Sequence, residues 1–93
     1  MTLRKTALIT GASAGLGKQF AELFARDGHD VVLVARSAEA LGRLASELQN
    51  SHGVTALSLP TDLSRPQASD ELHRTLKERG ITVDFLVNNA GFG

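Results

Sequence analysis

The residues best suited to chemistry stand early in the chain, at Thr10-Gly11-Ala12-Ser13-Ala14-Gly15-Leu16-Gly17. The three glycines, Gly11, Gly15 and Gly17, separate a short β-type run, Thr6 to Thr10, from a helical pattern with apolar residues at Leu16, Phe20, Leu23 and Phe24. A strand that breaks into a glycine turn and restarts as a helix aims several backbone N–H groups at one point. The positive end of the helix dipole lies at the same point, and such a place binds phosphate. Glycine serves there because a Cβ would obstruct a pyrophosphate and because tight turns often require φ > 0. Taken alone, the cluster also fits an ordinary strand-to-helix turn, so its meaning depends on residues elsewhere.

Three further marks bear on it. Ala35-Arg36-Ser37 follows an apolar run. In dinucleotide folds an acid at the end of the second strand takes the ribose hydroxyls of NAD, whereas an Arg nearby accommodates a 2′-phosphate. A carboxylate would repel that dianion, and a guanidinium pairs with it by charge-assisted hydrogen bonds. With Arg36 and no acid here, the cofactor reads as NADP(H). Ser37 reads equally as a helix cap and as a hydroxyl facing the phosphate. Asp62, in Thr61-Asp62-Leu63, is either a turn carboxylate or an acceptor for an exocyclic amine such as that of adenine. Asn88-Asn89-Ala90-Gly91 is either an Asn/Gly turn or a place where small residues admit a ribose and Asn amides tie neighbouring strand ends.

These marks must be positioned by regular elements. Val31 to Ala35 is continuous and β-branched, which suits a strand buried on both faces of a parallel sheet. The first helix ends near Asp27-Gly28, with Gly28 at C′. Leu41, Leu44 and Leu48 mark a second helix that runs from the Ser37 cap to about Gly53. Val54 to Leu59, closed by Pro60, is a third strand. A third helix starts at Ser64-Arg65-Pro66, with Pro66 near its first position, and carries Ala68, Leu72 and Leu76 as far as Gly80. Val83 to Val87 is a fourth strand. The order βαβαβαβ implies a doubly wound α/β parallel sheet, strand order 3-2-1-4, in one partial domain over residues 1–93. The winding reverses between strands 1 and 4, where the glycine loop and the Asn-Asn-Ala-Gly segment open a crevice. Ligands bind at such a point.

In order and approximate spacing, the four marks resemble a short-chain dehydrogenase/reductase along the whole chain. The resemblance implies a Rossmann-type domain in which Gly11, Ser13, Gly15, Leu16 and Gly17 line the pyrophosphate and adjoining ribose. It places Arg36 and Ser37 on the 2′-phosphate, Asp62 and Leu63 beside the adenine, and Asn89, Ala90 and Gly91 on the adenosine ribose side. Some NADP-dependent members carry Lys or Arg just before the second glycine. Ala14 stands there, which leaves Arg36 as the main determinant. The implied function is hydride transfer between NADP(H) and a small carbonyl or alcohol substrate, in a homo-oligomer. The family's catalytic Tyr, with a Lys four residues on and a helping Ser, belongs beyond the fourth strand. This chain has no Tyr, so no catalytic residue is assigned. The expectation is the nucleotide-binding N-terminal part of a longer oxidoreductase, inactive by itself, with a non-catalytic NADP-binding module or sensor as the alternative. Such a part should expose an apolar patch and an unpaired strand edge.

Composition is consistent with this. Ten basic and ten acidic residues balance in 93, against a polyanion-binding surface. There is no Cys, hence no disulfide or thiolate metal site. His29, His52 and His73 lie in separate segments without metal-ligand spacing and read as solvated turn or helix residues. No apolar run approaches the ~20 residues of a membrane span, and no signal peptide is recognisable at the N-terminus, so the expected location is cytoplasmic.

Overall fold

The computed structural model describes residues 4–89. Its elements are β1 (Thr6–Thr10), α1 (Gly15–Arg26), β2 (Asp30–Ala35), α2 (Ala38–His52), β3 (Ala56–Pro60), α3 (Ala68–Glu78) and β4 (Phe85–Val87). The four strands form one parallel sheet in the order β3-β2-β1-β4. The expected winding is therefore observed, with β1 and β2 inside and β3 and β4 at the edges.

The unbroken run of β2 explains its central place. Val31 and Leu33 face one cluster, with Ala7 and Ile9 of β1, Ala21 and Ala25 of α1, and Leu41, Leu44 and Leu48 of α2. Val32 and Val34 face the other, with Leu8, Leu72 and Leu76. Thus α1 and α2 cover one face and α3 the other. Burying each of the three α2 leucines stabilises by about 1.5–3 kcal/mol. No helix among the described residues is long and apolar enough to cross a membrane.

Three boundaries differ from expectation. The third helix starts at Ala68 rather than at Ser64-Arg65-Pro66. The Asp62 carboxylate takes the N–H and hydroxyl of Ser64, and this local turn competes with helix. Two further tight turns follow, Arg65 N–H to Asp62 O and Ala68 N–H to Arg65 O, both at 3.2 Å. The fourth strand is shorter than Val83 to Val87. It begins at Phe85, after Asp84 has exchanged hydrogen bonds with Thr6 through its backbone N–H and its carboxylate. The third strand runs from Ala56 through Pro60. Proline is tolerated there because β3 is an edge strand.

The first helix holds its apolar residues differently from their usual role. Gly17, Ala21 and Ala25 are the buried positions, while Leu16 and Leu23 are 61% and 45% exposed and Phe20 is also exposed. Small residues on the inner face let the helix backbone approach the sheet. Phe24 alone among the large residues packs partly inward. Its ring lies 5.3 Å from that of Phe85, with His29 tilted against both. His29 is therefore not merely solvated: it is half-buried, and its Nδ1 accepts the Lys5 N–H at 3.1 Å. Leu86 of β4 is exposed as well, on the α3 side of the sheet, and among the described residues β4 pairs with β1 alone, which leaves the expected open strand edge.

Candidate functional site

The carboxyl ends of β1 and β4 are joined by one side chain. Thr10, the last residue of β1, is 4% exposed. Its hydroxyl oxygen accepts the Asn89 N–H at 2.8 Å and lies 3.3 Å from the Val87 carbonyl and 3.2 Å from Asn88 Oδ1. Asn88 thereby ties the strand ends together, as expected of an Asn in this segment. Ala90 and Gly91 lie outside the described residues.

The glycine loop rests on this junction. Gly11 has φ +63°, and the Asn89 carbonyl lies 3.0 Å from where its Cβ would stand. Gly17 is more constrained. A Cβ there would lie 2.0 Å from the Gly11 carbonyl oxygen and 2.9 Å from the Asn89 amide nitrogen. Gly15 differs in kind: its φ is +58°, and an added Cβ would meet nothing within 4 Å. Gly17 serves a close backbone approach, whereas Gly15 serves a left-handed conformation beside open space. Ala12 pins the loop to the neighbouring strand, being fully buried with its N–H on the Val34 carbonyl at 3.2 Å. Ser13 is half-buried, and Leu16 projects into solvent.

The N-terminus of α1 is electrostatically distinct. Its N-cap, Ala14, makes no side-chain cap hydrogen bond, and its first turn contains no acid. By contrast, α2 is capped by Ser37 Oγ, which accepts the Ala40 N–H at 3.2 Å, and carries Glu39 in its first turn. The first turn of α3 holds Asp70 and Glu71. So α1 presents its first-turn N–H groups and positive dipole end with no internal anion to compensate them. The open space at Gly15 adjoins that end. This geometry fits a phosphate-bearing group.

The ends of β2 and β3 complete the edge. Ala35 stands opposite Pro60, and the Thr61 N–H donates to the Ala35 carbonyl at 2.8 Å. Arg36 is exposed and has no carboxylate within ion-pairing distance among the described residues. The Ser37 cap uses the hydroxyl as acceptor, and its hydrogen remains available to donate. Asp62 Oδ1 receives the Ser64 hydroxyl at 2.6 Å and the Ser64 N–H at 3.0 Å. Those two bonds hold the Asp62 carboxyl below the ordinary carboxylate range. Desolvation opposes the shift, and the Arg36 and Arg65 guanidiniums add to it. Leu63 is half-buried against the α3-side cluster.

The structure therefore brings Gly11, Ser13, Gly15, Leu16, Gly17 and Asn89 to the β1–β4 junction, and Arg36, Ser37, Asp62 and Leu63 to the β2–β3 end of the same sheet edge. Two supporting residues were not assigned a role from sequence. Thr10 is signalled only by a hydroxyl ending an apolar strand, and Ala12 only by a small residue inside the turn.

Comparison with known proteins shows the family and supports the fold. The family described as short chain dehydrogenase matches residues 5–93, and the chain belongs to it. It is 43% identical over 86 residues to a very-long-chain 3-oxoacyl-CoA reductase of Aspergillus clavatus, covering 91% of this chain and 25% of that protein. It is 41% identical over 87 residues to an NADPH-dependent pterin aldehyde reductase of Arabidopsis thaliana, covering 94% and 35%. Among solved structures, a short-chain dehydrogenase from Sphingobium yanoikuyae in complex with NADPH aligns with TM-score 0.86 and 45% identity, covering 96% of this chain and 34% of that one. L-sorbose reductase from Gluconobacter frateurii, complexed with NADPH and L-sorbose, aligns with TM-score 0.90 and 39% identity, covering 97% and 34%. The chain thus spans about a quarter to a third of the length of these relatives.

Proposed function

We propose that these 93 residues are the cofactor-binding part of an NADP(H)-dependent oxidoreductase acting on a carbonyl or alcohol substrate. The observation that carries the reading is the uncapped, acid-free N-terminus of α1 beside the open space at Gly15, with Arg36 exposed on the same sheet edge. Relatives that bind NADPH support it. Backbone N–H groups of the loop from Gly11 to Gly17, with Ser13 and Leu16, receive the pyrophosphate and adjoining ribose. Arg36 and Ser37 take the 2′-phosphate. Asp62, through the oxygen that Ser64 leaves free, takes the exocyclic amine of adenine, with Leu63 beside the ring. Asn89, Ala90 and Gly91 border the adenosine ribose.

When bound, the dinucleotide supplies or accepts a hydride. The residues here bind and orient it. We assign the proton-transferring groups to the part of the relatives that this chain does not span, because it contains no Tyr. The isolated chain accordingly binds cofactor without turning it over.

The test is Arg36→Ala in the full-length protein, read by calorimetry. NADPH binding should weaken by about 1–3 kcal/mol while NADH changes little, since only one of them offers a phosphate to the guanidinium. Equal losses for both would overturn the assignment.

A further inference from the structure

One carboxylate at the site is held by a residue that takes no part in the binding described above. The Thr61 N–H bond to the Ala35 carbonyl sets Asp62 just past the end of β3, beside the chain leaving β2. Two residues on, Ser64 turns back onto it. The Ser64 hydroxyl donates to Asp62 Oδ1 at 2.6 Å, and the Ser64 N–H donates to the same oxygen at 3.0 Å. The Arg65 N–H, on the Asp62 carbonyl at 3.2 Å, closes the turn. These bonds do not cap α3, which begins only at Ala68, behind Gln67. They act on the carboxylate itself. A carboxylate oxygen has two lone pairs, and Oδ1 uses both on Ser64. Oδ2 has no hydrogen-bond partner among the described residues. The ionised carboxylate is thus pinned by one oxygen and presents the other, in one direction, as a pure acceptor. The direction of that acceptor decides which base it meets. The 6-amino group of adenine is a donor. Hypoxanthine carries an oxygen at that position, and its nearest donor, the N1–H, is displaced by one ring atom. A loose carboxylate would shift to reach that N–H; a pinned one would not.

We propose that Ser64 is a positioning residue that sets base specificity at the dinucleotide site: by holding Asp62 Oδ1 it aims Oδ2 as a fixed acceptor toward a 6-amino purine and against a 6-oxo purine. This rests on the reading above, in which Asp62 meets the adenine. The same two donors also keep the carboxyl ionised, because they are the largest causes holding it below the ordinary carboxylate range. Ionisation matters here, since a protonated carboxyl would offer the base a donor in place of an acceptor.

The test compares NADPH with its hypoxanthine analogue and needs no turnover. Both are titrated calorimetrically into the full-length protein and its variants, whose folding is checked by thermal melting. The wild type should prefer NADPH about three- to tenfold, as expected for one solvated charge-assisted bond. Ser64→Ala keeps the N–H bond but loses the hydroxyl, and should cut that preference by about twofold or more. Ser64→Thr, with both donors, should restore it. On acidification the preference should fade at a higher pH in Ser64→Ala than in the wild type, a shift that a merely structural role would not produce. Asp62→Asn gives the sharpest result. Its amide oxygen should take the two Ser64 donors and so turn the NH2 group outward, and the variant should prefer the hypoxanthine analogue. Adding Ser64→Ala to Asp62→Asn should weaken that inversion. A wild-type base preference in Ser64→Ala, or an Asp62→Asn protein that still prefers NADPH, would overturn the role of Ser64. Arg36→Ala separates the two levels. If the Asp62 and Ser64 variants leave base preference unchanged while Arg36→Ala loosens NADPH alone, only the contact with the base fails. If Arg36→Ala also loosens NADPH and NADH equally, the NADP(H) reading fails with it.

Discussion

Replacing Gly17 by Ala adds one methyl group where the structure has no room for it. The new Cβ would lie 2.0 Å from the Gly11 carbonyl oxygen, 2.7 Å from its carbon and 2.9 Å from the Asn89 amide. The two nearest atoms are backbone, so no rotamer change relieves the clash. The first turn of α1 and the loop must separate by more than about 1 Å, in a close-packed region that transmits strain. Overpacking of this kind costs about 1–3 kcal/mol, and occasionally more. This site belongs at the upper end, because the same movement pulls on Ala12, the loop's anchor to Val34. Gly15→Ala is the internal control. Its Cβ meets open space, so its cost is conformational, about 1–2 kcal/mol for a left-handed L-residue. Urea denaturation of the full-length protein without cofactor should place Gly17→Ala clearly below Gly15→Ala in stability. Calorimetry should show that Gly15→Val, which projects a branched side chain into the open space, loses NADPH and NADH binding alike. A Gly17→Ala protein within about 0.5 kcal/mol of wild type would refute the packing argument, and unchanged affinity in Gly15→Val would refute the reading of the open space.

Other outcomes follow from the same geometry. Thr10→Val keeps the shape but removes the oxygen that accepts the Asn89 N–H. The Asn89 N–H keeps its bond to the Val87 carbonyl at 3.1 Å, so the loss is that of one hydrogen bond, about 0.5–1.5 kcal/mol. Urea denaturation should show it, and faster amide exchange at Asn89 would locate it. Ser64→Ala removes the largest cause of the lowered Asp62 pKa, so an NMR titration should find the Asp62 carboxyl moved back toward its ordinary range. Because the folded value is depressed, the stability linked to Asp62 is present above its unfolded pKa and is lost as pH falls through the folded one. Ser64→Ala should therefore flatten the acid limb of the stability curve, and an unaltered limb would count against the turn.

Much of this architecture is legible in the sequence because independent signals coincide. The unbroken Val31–Ala35 run requires cover on both faces, and the sheet supplies it from α1 and α2 on one side and α3 on the other. The glycine loop and Arg36 then fall on one edge by topology alone. Where the reading from sequence departs from the structure, local chemistry or the space beyond a helix decides. Hydrophobic spacing in α1 does not say which face meets the sheet: its small residues turn inward, and Leu16, Phe20 and Leu23 face out. Pro66 suggests an early helix start, but the Ser64 bonds to Asp62 hold the chain in turns until Ala68. The joining role of Thr10 could not be read from a strand pattern, because its partners, Asn88 and Asn89, lie nearly the whole chain away.

The central claim is that this sheet edge is built for a dinucleotide carrying a 2′-phosphate. The most direct measurement is calorimetric titration of the wild-type full-length protein with NADPH and with NADH at low ionic strength. NADPH should bind more tightly by about a factor of ten or more, as expected of charge-assisted hydrogen bonds to one phosphate. Equal affinities, or a preference for NADH, would contradict the account.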